Sequence, residues 1–237
     1  QCLTDRPKEV ERAKLVHVSG SSTAVVEQLA QKGLFQRYER EEGRPDPAAA
    51  LTPPPVLSAA QQEALTAVKH AFEKHDVVLL RGVTSSGKTE LYTTLITEAL
   101  SRGEQVLYLL PEIALTTQII TRLRARFADD VVVFHSRMAQ HERTALWMRC
   151  VGDTPPRVIV GARSALFLPF VKLGLVVVDE EHDPSYKQHE PAPRYHARDM
   201  AIVLAGLHQA KVLLGSATPS MESLHNARQG KYGSVEL

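Results

Sequence analysis

The sequence predicts an α/β fold in which a parallel β-sheet is covered by α-helices on both faces. Short apolar runs recur along most of the chain, and amphipathic stretches with helical periodicity separate most of them. The runs are apolar throughout and do not alternate with polar residues, as is typical of strands buried on both faces. Alternation of such strands with helices indicates a parallel sheet built from β-α-β units.

The position of each element follows from its pattern. The predicted strands are 76–81, 105–110, 131–135, 157–161, 175–180 and 211–215. The predicted helices are 61–75, 88–103, 117–128, 141–150 and 197–209. With 237 residues, 43% of them hydrophobic, the chain is long enough for one large domain with an attached segment.

The N-terminal part of the chain differs from this repeating pattern. Ser22 or Thr23 can cap a helix that ends near Gly33, and a charged stretch follows it. A helix before a charged ribbon suggests a partial winged-helix DNA-binding segment over residues 1–43, and a linker helix is the alternative. Many prolines and alanines then predict an extended linker over 44–56, so that the α/β domain covers 57–237.

Composition restricts the classes of function. The net charge of +1 excludes a polycation, so that any nucleic-acid surface would be local. Cys2 and Cys150 lie far apart and outside any C-x-x-C pair, which argues against a disulfide framework or a zinc ribbon and favours a reducing, cytoplasmic setting. No apolar run is long enough for a membrane span, and no membrane contact is predicted. Because the chain starts without Met or a signal peptide, we expect it to be part of a longer protein.

A glycine-rich connection follows the first strand and opens a helix. In RGVTSSGKTE, the residues Gly82, Gly87, Lys88 and Thr89 match the phosphate-loop pattern G-x-x-x-x-G-K-S/T. Glycines let several backbone amides turn toward one phosphate, and the helix N-terminus adds the positive end of its dipole. The pattern predicts that Lys88 reaches the terminal phosphates and that Thr89 ligates Mg²⁺. The alternative is a Gly/Ser-rich connection with an exposed lysine.

The fifth predicted strand ends in a run of acidic residues. Asp179 stands at its carboxyl end, where open α/β sheets bind ligands, and Glu180 follows directly. In phosphate-loop enzymes such an Asp completes the Mg²⁺ site, and a neighbouring carboxylate can activate the attacking water. His182, His189 and His196 recur at seven-residue intervals. Prolines between them break any shared helix, so no histidine metal site is expected.

Together these motifs resemble helicase superfamily 2, and most closely its replication-restart branch, the PriA or primosomal protein N′ helicases. The likeness covers about residues 57 to 224. LSAAQQEAL resembles the nucleotide-reading glutamine motif of that family, GVTSSGKTELY its motif I, and DEEHD its motif II. LLPEIALTTQ is similar to motif Ia, FHSRM to the segment after it, GARSALFLPF to motif Ib and GSATPSMES to motif III. The resemblance implies a RecA-like fold.

The resemblance also implies the ATP-binding lobe of a DNA helicase. Gln61 would contact adenine, and His182 would couple the γ-phosphate to the rest of the site. Mg²⁺ would be held by Thr89 and Asp179, and Glu180 would activate water. The implied ATP-binding residues are Gln61, Gly82, Val83, Thr84, Ser85, Ser86, Gly87, Lys88 and Thr89, and the implied catalytic residues are Lys88, Asp179, Glu180 and His182.

The basic, proline-broken loop after motif II is implied to sense single-stranded DNA. Tyr186 and Tyr195 offer ring faces for base stacking, and Lys187, Arg194 and Arg198 can meet phosphates. The alternative is a solvated basic loop whose tyrosines pack on the core. The other residues expected to contact DNA, or to couple it to motif II, are Arg163, Ser164, Ser216 and Thr218.

The sequence departs from the family at two motif positions. Ser85 replaces a glycine in the phosphate loop, where a positive φ would strain it, and Thr117 replaces a proline in motif Ia. The family's arginine finger lies in a second motor lobe and its zinc in the C-terminal half, and neither is in this sequence. The chain alone is therefore expected to bind Mg-nucleotide and to hydrolyse ATP slowly.

The family further implies forked and single-stranded DNA as ligands, and single-stranded DNA-binding protein and other primosome proteins as partners. It also implies a monomer associated with the bacterial nucleoid. Two other functions are open. A phosphate-loop phosphotransferase would not be stimulated by DNA, and it leaves motifs Ia, Ib and III unexplained. A loading scaffold would use nucleotide only to gate its binding to DNA.

Overall fold

A computed structural model describes residues 56–83, 86–114, 117–136 and 138–237, together with residues 25, 28 and 29. The chain divides into two units, Gln1–Arg44 and Pro45–Leu237. In the first unit the three described residues are helical. The predicted winged-helix segment and nearly all of the predicted linker otherwise lie outside the described residues, and both stay predictions.

The described part of the second unit alternates helices with strands. Its strands are β1 Val77–Arg81, β2 Gln105–Leu109, β3 Val131–Phe134, β4 Val158–Gly161, β5 Leu173–Asp179, β6 Lys211–Ser216 and β7 Gly233–Glu236. Its helices are α1 Ala59–Lys74, α2 Lys88–Ser101, α3 Thr117–Phe127, α4 Gln140–Val151, α5 Ala197–His208 and α6 Met221–Arg228. Short 3-10 turns lie at 112–114, 128–130, 163–167 and 184–186.

The strands of the second unit form one parallel sheet in the order β3-β4-β2-β5-β6-β1-β7. The prediction of an α/β fold with a parallel sheet is confirmed. Strands β5, β6 and β1 are parallel neighbours, so the segments that follow them start side by side at the carboxyl ends of the strands. Those segments carry the acidic run, the GSATPS stretch and the phosphate loop, which meet although they are far apart in the chain.

Both faces of the sheet are buried. In β2, Val106 and Tyr108 face a core shared with α1, α2 and α3, and Leu107 and Leu109 face a second core shared with α4 and α5. Successive side chains of a strand point to opposite faces, so a strand covered on both sides is apolar at every position. This arrangement explains the unbroken apolar runs of the sequence.

The sequence-based prediction missed strand β7 and helix α6. In β7 only Gly233 and Val235 are buried, whereas Ser234 and Glu236 are exposed. The strand lies at the edge of the sheet beside β1, so it has no continuous apolar run to reveal it. The predicted strand 175–180 begins two residues earlier, at Leu173, and ends at Asp179.

Candidate active site

The phosphate-loop glycines are required by their surroundings. Gly87 is the N-cap of α2 with φ of 91°, and a Cβ there would lie 1.9 Å from Nε2 of Gln61. Gly82 donates its amide to the carbonyl oxygen of Ser216 at 3.1 Å, and its Cβ would lie 2.8 Å from Oγ of Ser86. A larger residue at either position would displace the side chain of Gln61 or Ser86, and at Gly87 it would also be strained by the positive φ. Thr84 and Ser85 lie outside the described residues, so the expected strain at Ser85 stays a prediction.

Lys88 crosses the mouth of this loop. Its ammonium group donates to the carbonyl oxygen of Gly82 at 2.8 Å and lies 3.8 Å from Oε1 of Glu180, with only 7% of the residue exposed. Oγ of Ser86 is buried and has no hydrogen-bond partner among the described residues. Gly87 provides no side-chain cap for α2. Helix N-terminal amides, a lysine and an unpartnered hydroxyl are all donors, which fits an anion such as a phosphate.

A cleft of about 760 Å³ opens beside the loop. At one rim, Gln61 accepts a hydrogen bond from the amide of Ser58 at 2.8 Å as part of the capping box of α1, and its side-chain nitrogen approaches Gly87. At another rim, Arg122 of α3 forms an ion pair with Glu90 of α2. The lining residues are Val56, Gln61, Ser86, Gly87, Lys88, Thr89, Glu90, Arg122, Asp179 and Glu180.

The carboxylate of Asp179 is held at the floor of the cleft. Tyr92 donates its hydroxyl to Oδ1 at 3.0 Å, and Tyr108 donates to Oδ2 at 3.3 Å. Burial raises the pKa of the Asp179 carboxyl, as does the neighbouring Glu180, while the hydrogen bond from Tyr92 and the charge of Lys88 lower it. A buried carboxylate of this kind gains from a nearby divalent cation, because the cation offsets the lost hydration.

Glu180 has left-handed backbone geometry, with φ of 47°. Such a conformation costs a non-glycine residue about 1–2 kcal/mol. The turn takes the chain out of β5 and directs the side chain into the cleft, where Oε1 lies 3.8 Å from Lys88 and Oε2 lies 3.6 Å from Nδ1 of His182. Backbone strain of this kind is concentrated at functional sites.

Glu181 is an important residue that sequence reasoning missed. Its carboxylate is fully buried and accepts hydrogen bonds from Arg198 at 3.1 Å, from the amide of Ser220 at 2.7 Å and from the hydroxyl of Ser223 at 2.9 Å. The residues of the acidic run therefore have different roles. Asp179 and Glu180 face the cleft, and Glu181 fastens the run to α5 and to the start of α6.

His182 lies between the acidic run and the GSATPS stretch. Its Nδ1 lies 2.7 Å from Oγ of Ser216, and its Nε2 lies 3.2 Å from Oγ1 of Thr218. Ser216 also accepts from the amide of Thr218 at 3.0 Å. Ser216 is fully buried and contacts motif II through His182, and its expected role in coupling motif II to DNA stays a prediction.

Two other residues expected at DNA are buried. Tyr186 is only 1% exposed and donates its hydroxyl to the carbonyl oxygen of Asp179 at 2.7 Å, so it offers no ring face to a base. Arg198 is enclosed with Glu181, which occupies its guanidinium inside the protein. Both predictions are corrected for the same reason, because each polar group has found a partner inside the protein.

Arg163 contacts the loop after β5. Its guanidinium donates to the carbonyl oxygen of Ser185 at 2.9 Å and to that of Lys187 at 3.2 Å. This arginine of GARSALF therefore supports the loop that was expected to bind DNA. Lys187 pairs with His196 in an isolated antiparallel β-bridge, which fixes the base of the loop between them.

The more accessible residues of this region remain candidates for DNA contact. Arg194 is exposed, and Tyr195 and Ser164 are partly exposed. The ring of Tyr195 packs edge-on against Phe167 at 5.1 Å, and Phe167 is half exposed. Phe167 was not singled out from the sequence, because a phenylalanine in GARSALF has the pattern of a core residue.

The three spaced histidines do not converge. His182 binds Ser216 and Thr218, His189 is exposed, and His196 is the N-cap of α5. Within the described ranges, no group of three or more His, Cys, Asp and Glu residues is arranged to hold a metal ion. In the same part of the chain, no helix is both long and apolar enough to cross a membrane.

Comparison with known proteins decides the family. A model of the DEAD/DEAH box helicases matches residues 58–227. The chain belongs to the DEAD/DEAH box helicase family. Membership of this helicase family implies the use of ATP and Mg²⁺.

Curated helicase relatives support the more specific resemblance. Replication restart protein PriA of Bacillus subtilis is 40% identical over 234 residues, which cover 97% of this chain and 29% of that protein. Replication restart protein PriA of Haemophilus influenzae is 46% identical over 182 residues, which cover 76% of this chain and 25% of that protein. The resemblance to these helicases is confirmed, and the chain spans about a quarter to a third of their length.

Solved helicase structures support the fold. RecG bound to a three-way DNA junction matches with a TM-score of 0.54 and 22% identity, covering 77% of this chain and 24% of that one. Mycobacterium smegmatis Lhr, bound to single-stranded DNA and AMP-PNP, matches with a TM-score of 0.54 and 21% identity, covering 75% of this chain and 25% of that one. The predicted RecA-like fold is confirmed.

Proposed function

We propose that this chain is the first motor lobe of an ATP-dependent DNA helicase that moves 3′ to 5′ on single-stranded DNA and restarts stalled or collapsed replication forks. The observation that carries the proposal is the 3.8 Å separation between Nζ of Lys88 and Oε1 of Glu180. The loop suited to phosphates and the carboxylate suited to water activation thus face each other across one cleft. The identity with replication restart protein PriA of Bacillus subtilis supports the restart role.

In this proposal the phosphates of ATP lie against the N-terminus of α2, beside Ser86, Gly87 and Lys88. Lys88 binds the terminal phosphates, and the unpartnered hydroxyl of Ser86 donates to a phosphate oxygen. Thr89 and Asp179 would hold Mg²⁺, which would neutralise charge on the phosphates. Glu180 orients the attacking water and accepts its proton. Gln61, at the rim of the cleft, contacts the adenine base.

Single-stranded DNA would contact the loop after β5 through Lys187, Arg194 and Tyr195. Arg163 would move together with this loop, because its guanidinium donates hydrogen bonds to two carbonyl groups of the loop. His182, Ser216 and Thr218 would carry that movement to Glu180. Forked DNA, single-stranded DNA-binding protein and other primosome proteins are the proposed partners, in the bacterial nucleoid.

The proposal is tested by steady-state ATP hydrolysis of the full-length protein that carries this chain, with and without forked or single-stranded DNA. We expect strong stimulation by DNA, and a loss of about 100-fold or more in Glu180→Gln, since general base catalysis contributes about 10²–10⁴-fold. Glu63→Gln, an exposed carboxylate on α1, is the matched control and should keep the parent rate.

The outcomes separate the alternatives. Turnover that DNA does not stimulate would contradict the motor and favour a phosphotransferase. Normal replication restart by Glu180→Gln, despite lost hydrolysis, would favour the loading scaffold. The 237-residue chain assayed by itself should hydrolyse ATP slowly, because it spans only 29% of the length of replication restart protein PriA of Bacillus subtilis. Full DNA-stimulated turnover by the chain alone would contradict that expectation.

A further inference from the structure

Three buried tyrosines surround Asp179. Tyr92 of α2 donates to Oδ1 at 3.0 Å, Tyr108 of β2 donates to Oδ2 at 3.3 Å, and Tyr186 donates to the main-chain oxygen at 2.7 Å. The rings of Tyr92 and Tyr108 meet edge-on, with 5.8 Å between their centroids. Each oxygen of one carboxylate is therefore bound by a separate hydroxyl, from a separate element.

These hydroxyls are not needed for packing alone. Tyr92 and Tyr108 belong to the apolar core beneath α2, where Leu80, Ile96 and Val177 are neighbours in the same cluster. A buried hydroxyl costs free energy unless it is hydrogen-bonded, and a phenylalanine would fill similar space without that cost. The carboxyl torsion of an aspartate is broad and weakly restrained by itself. Two donors from fixed rings, together with the amide of Glu180 that donates to Oδ1 at 3.1 Å, restrict that torsion and set the plane of the carboxylate.

Gly215 supports the same arrangement. It lies opposite Asp179 in the pairing of β5 with β6. A Cβ at this position would lie 1.8 Å from the hydroxyl of Tyr92 and 3.5 Å from Oδ1 of Asp179. Its φ lies outside the left-handed region, so the backbone does not demand glycine there. The space left by the missing side chain holds the hydroxyl that binds the carboxylate.

We propose that Tyr92 and Tyr108 are positioning residues that orient the Asp179 carboxylate toward hydrated Mg²⁺, and that Gly215 is glycine in order to admit the Tyr92 hydroxyl. This inference rests on the proposed Mg-ATP site. It assigns a task to side chains of α2, β2 and β6 that lie outside the loops holding the phosphates.

The test measures the Mg²⁺ dependence of binding of a fluorescent ADP analogue to the protein. Mg²⁺ should increase the affinity for the analogue, and the measured quantity is the Mg²⁺ concentration that gives half of this increase. Tyr92→Phe and Tyr108→Phe should each raise that concentration by about three- to tenfold. This is the effect expected when one hydrogen bond is lost to a charged group that binds the metal through water. Binding of the analogue without Mg²⁺ should stay within about twofold of the parent value.

Tyr186→Phe is the matched control, because it removes an equally buried hydroxyl that binds the main chain of Asp179 and not its carboxylate. Its Mg²⁺ requirement should stay at the parent value. An unchanged requirement in both Tyr92→Phe and Tyr108→Phe, or an equal rise in all three tyrosine variants, would overturn the inference. If one of the two positioning variants fails to fold, the other decides the question in the same way.

A double mutant tests whether Gly215 is glycine in order to admit the Tyr92 hydroxyl. Gly215→Ala should push the Tyr92 hydroxyl away from Asp179 and raise the Mg²⁺ requirement as Tyr92→Phe does. The double variant should be no worse than either single variant, because both changes remove the same hydrogen bond. Additive losses would overturn this part of the inference. If Mg²⁺ did not change nucleotide binding by the parent protein, the proposed function would be contradicted. Failure of the proposed function is therefore distinguishable from failure of this inference.

Discussion

The guanidinium of Arg198 lies 3.1 Å from the carboxylate of Glu181, and the two side chains are 7% and 0% exposed. The pair joins the two ends of the segment between them, which contains the loop expected to contact DNA. Ser220 and Ser223 bind the same carboxylate, so α6 is fastened to this point as well. The base of the loop is therefore fixed to the acidic run of the candidate active site.

Replacing Arg198 by Met should destabilise the fold strongly, because it leaves the buried charge of Glu181 without its cation. We expect the free energy of unfolding to fall by about 3 kcal/mol, as for other broken buried ion pairs. Urea unfolding followed by circular dichroism measures the change. Arg194→Met, in the exposed part of the same loop, should change stability by no more than about 0.5 kcal/mol. Equal losses in both variants would contradict the assignment.

Alanine at Gly87 should weaken nucleotide binding as well as stability. The new Cβ would collide with the Gln61 amide and strain a backbone with φ of 91°. We expect the Kd for ADP to rise by about tenfold or more, the equivalent of about 1.4 kcal/mol. Gly230→Ala is the control, since its φ is 70° and nothing lies within 4 Å of the added atom. It should lose about 1 kcal/mol of stability and keep its affinity for ADP, as measured by titration calorimetry.

Glycine at Glu180 should stabilise the fold while it abolishes ATP hydrolysis. The φ of 47° costs glutamate about 1–2 kcal/mol, and glycine loses about 0.5–1 kcal/mol more backbone entropy on folding, so a net gain of up to about 1.5 kcal/mol is expected. Gln209→Gly, at the C-cap of α5 with φ of 56°, should gain a similar amount without any effect on hydrolysis. Urea unfolding and ATPase assays on the full-length protein test both expectations. A loss of stability only in Glu180→Gly would mean that its side chain stabilises the turn.

The stability of the fold should fall in mildly acidic solution because of His196. Burial lowers the pKa of this imidazole, and so does the charge of Arg198. The unfolded chain therefore binds the proton more readily, with a pKa of about 6.5. The stabilising contribution is complete above that pH and is lost as the pH falls below it. His196→Asn should reduce this decline in melting temperature below about pH 6.5, and the exposed His189→Asn should follow the parent. Identical curves for all three proteins would contradict the assignment.

Most of the fold was predictable from the chain. Strands buried on both faces are apolar at every position, and the phosphate loop sits where β1 passes into α2. The edge strand β7 was not predictable, because its alternating pattern covers only four residues. In the candidate site, the motif residues Lys88, Asp179 and Glu180 were found. The groups that hold them were not found, since tyrosines in α2 and β2 have the same pattern as other core residues.

Periodicity and loop chemistry depend on residues that are close in the chain. The α/β class, the phosphate loop and the acidic strand end could therefore all be predicted from the sequence. Exposure and hydrogen-bond partners depend on residues that are distant in the chain. Tyr92 and Asp179 are 87 positions apart, and the packing of α2 against β5 and β2 brings them together. Packing on the opposite face of the sheet encloses Tyr186, and Arg198 is enclosed with Glu181, although the sequence suggested that both residues were at DNA. A buried polar group must find a partner, and the tertiary structure decides whether that partner is DNA, water or another side chain.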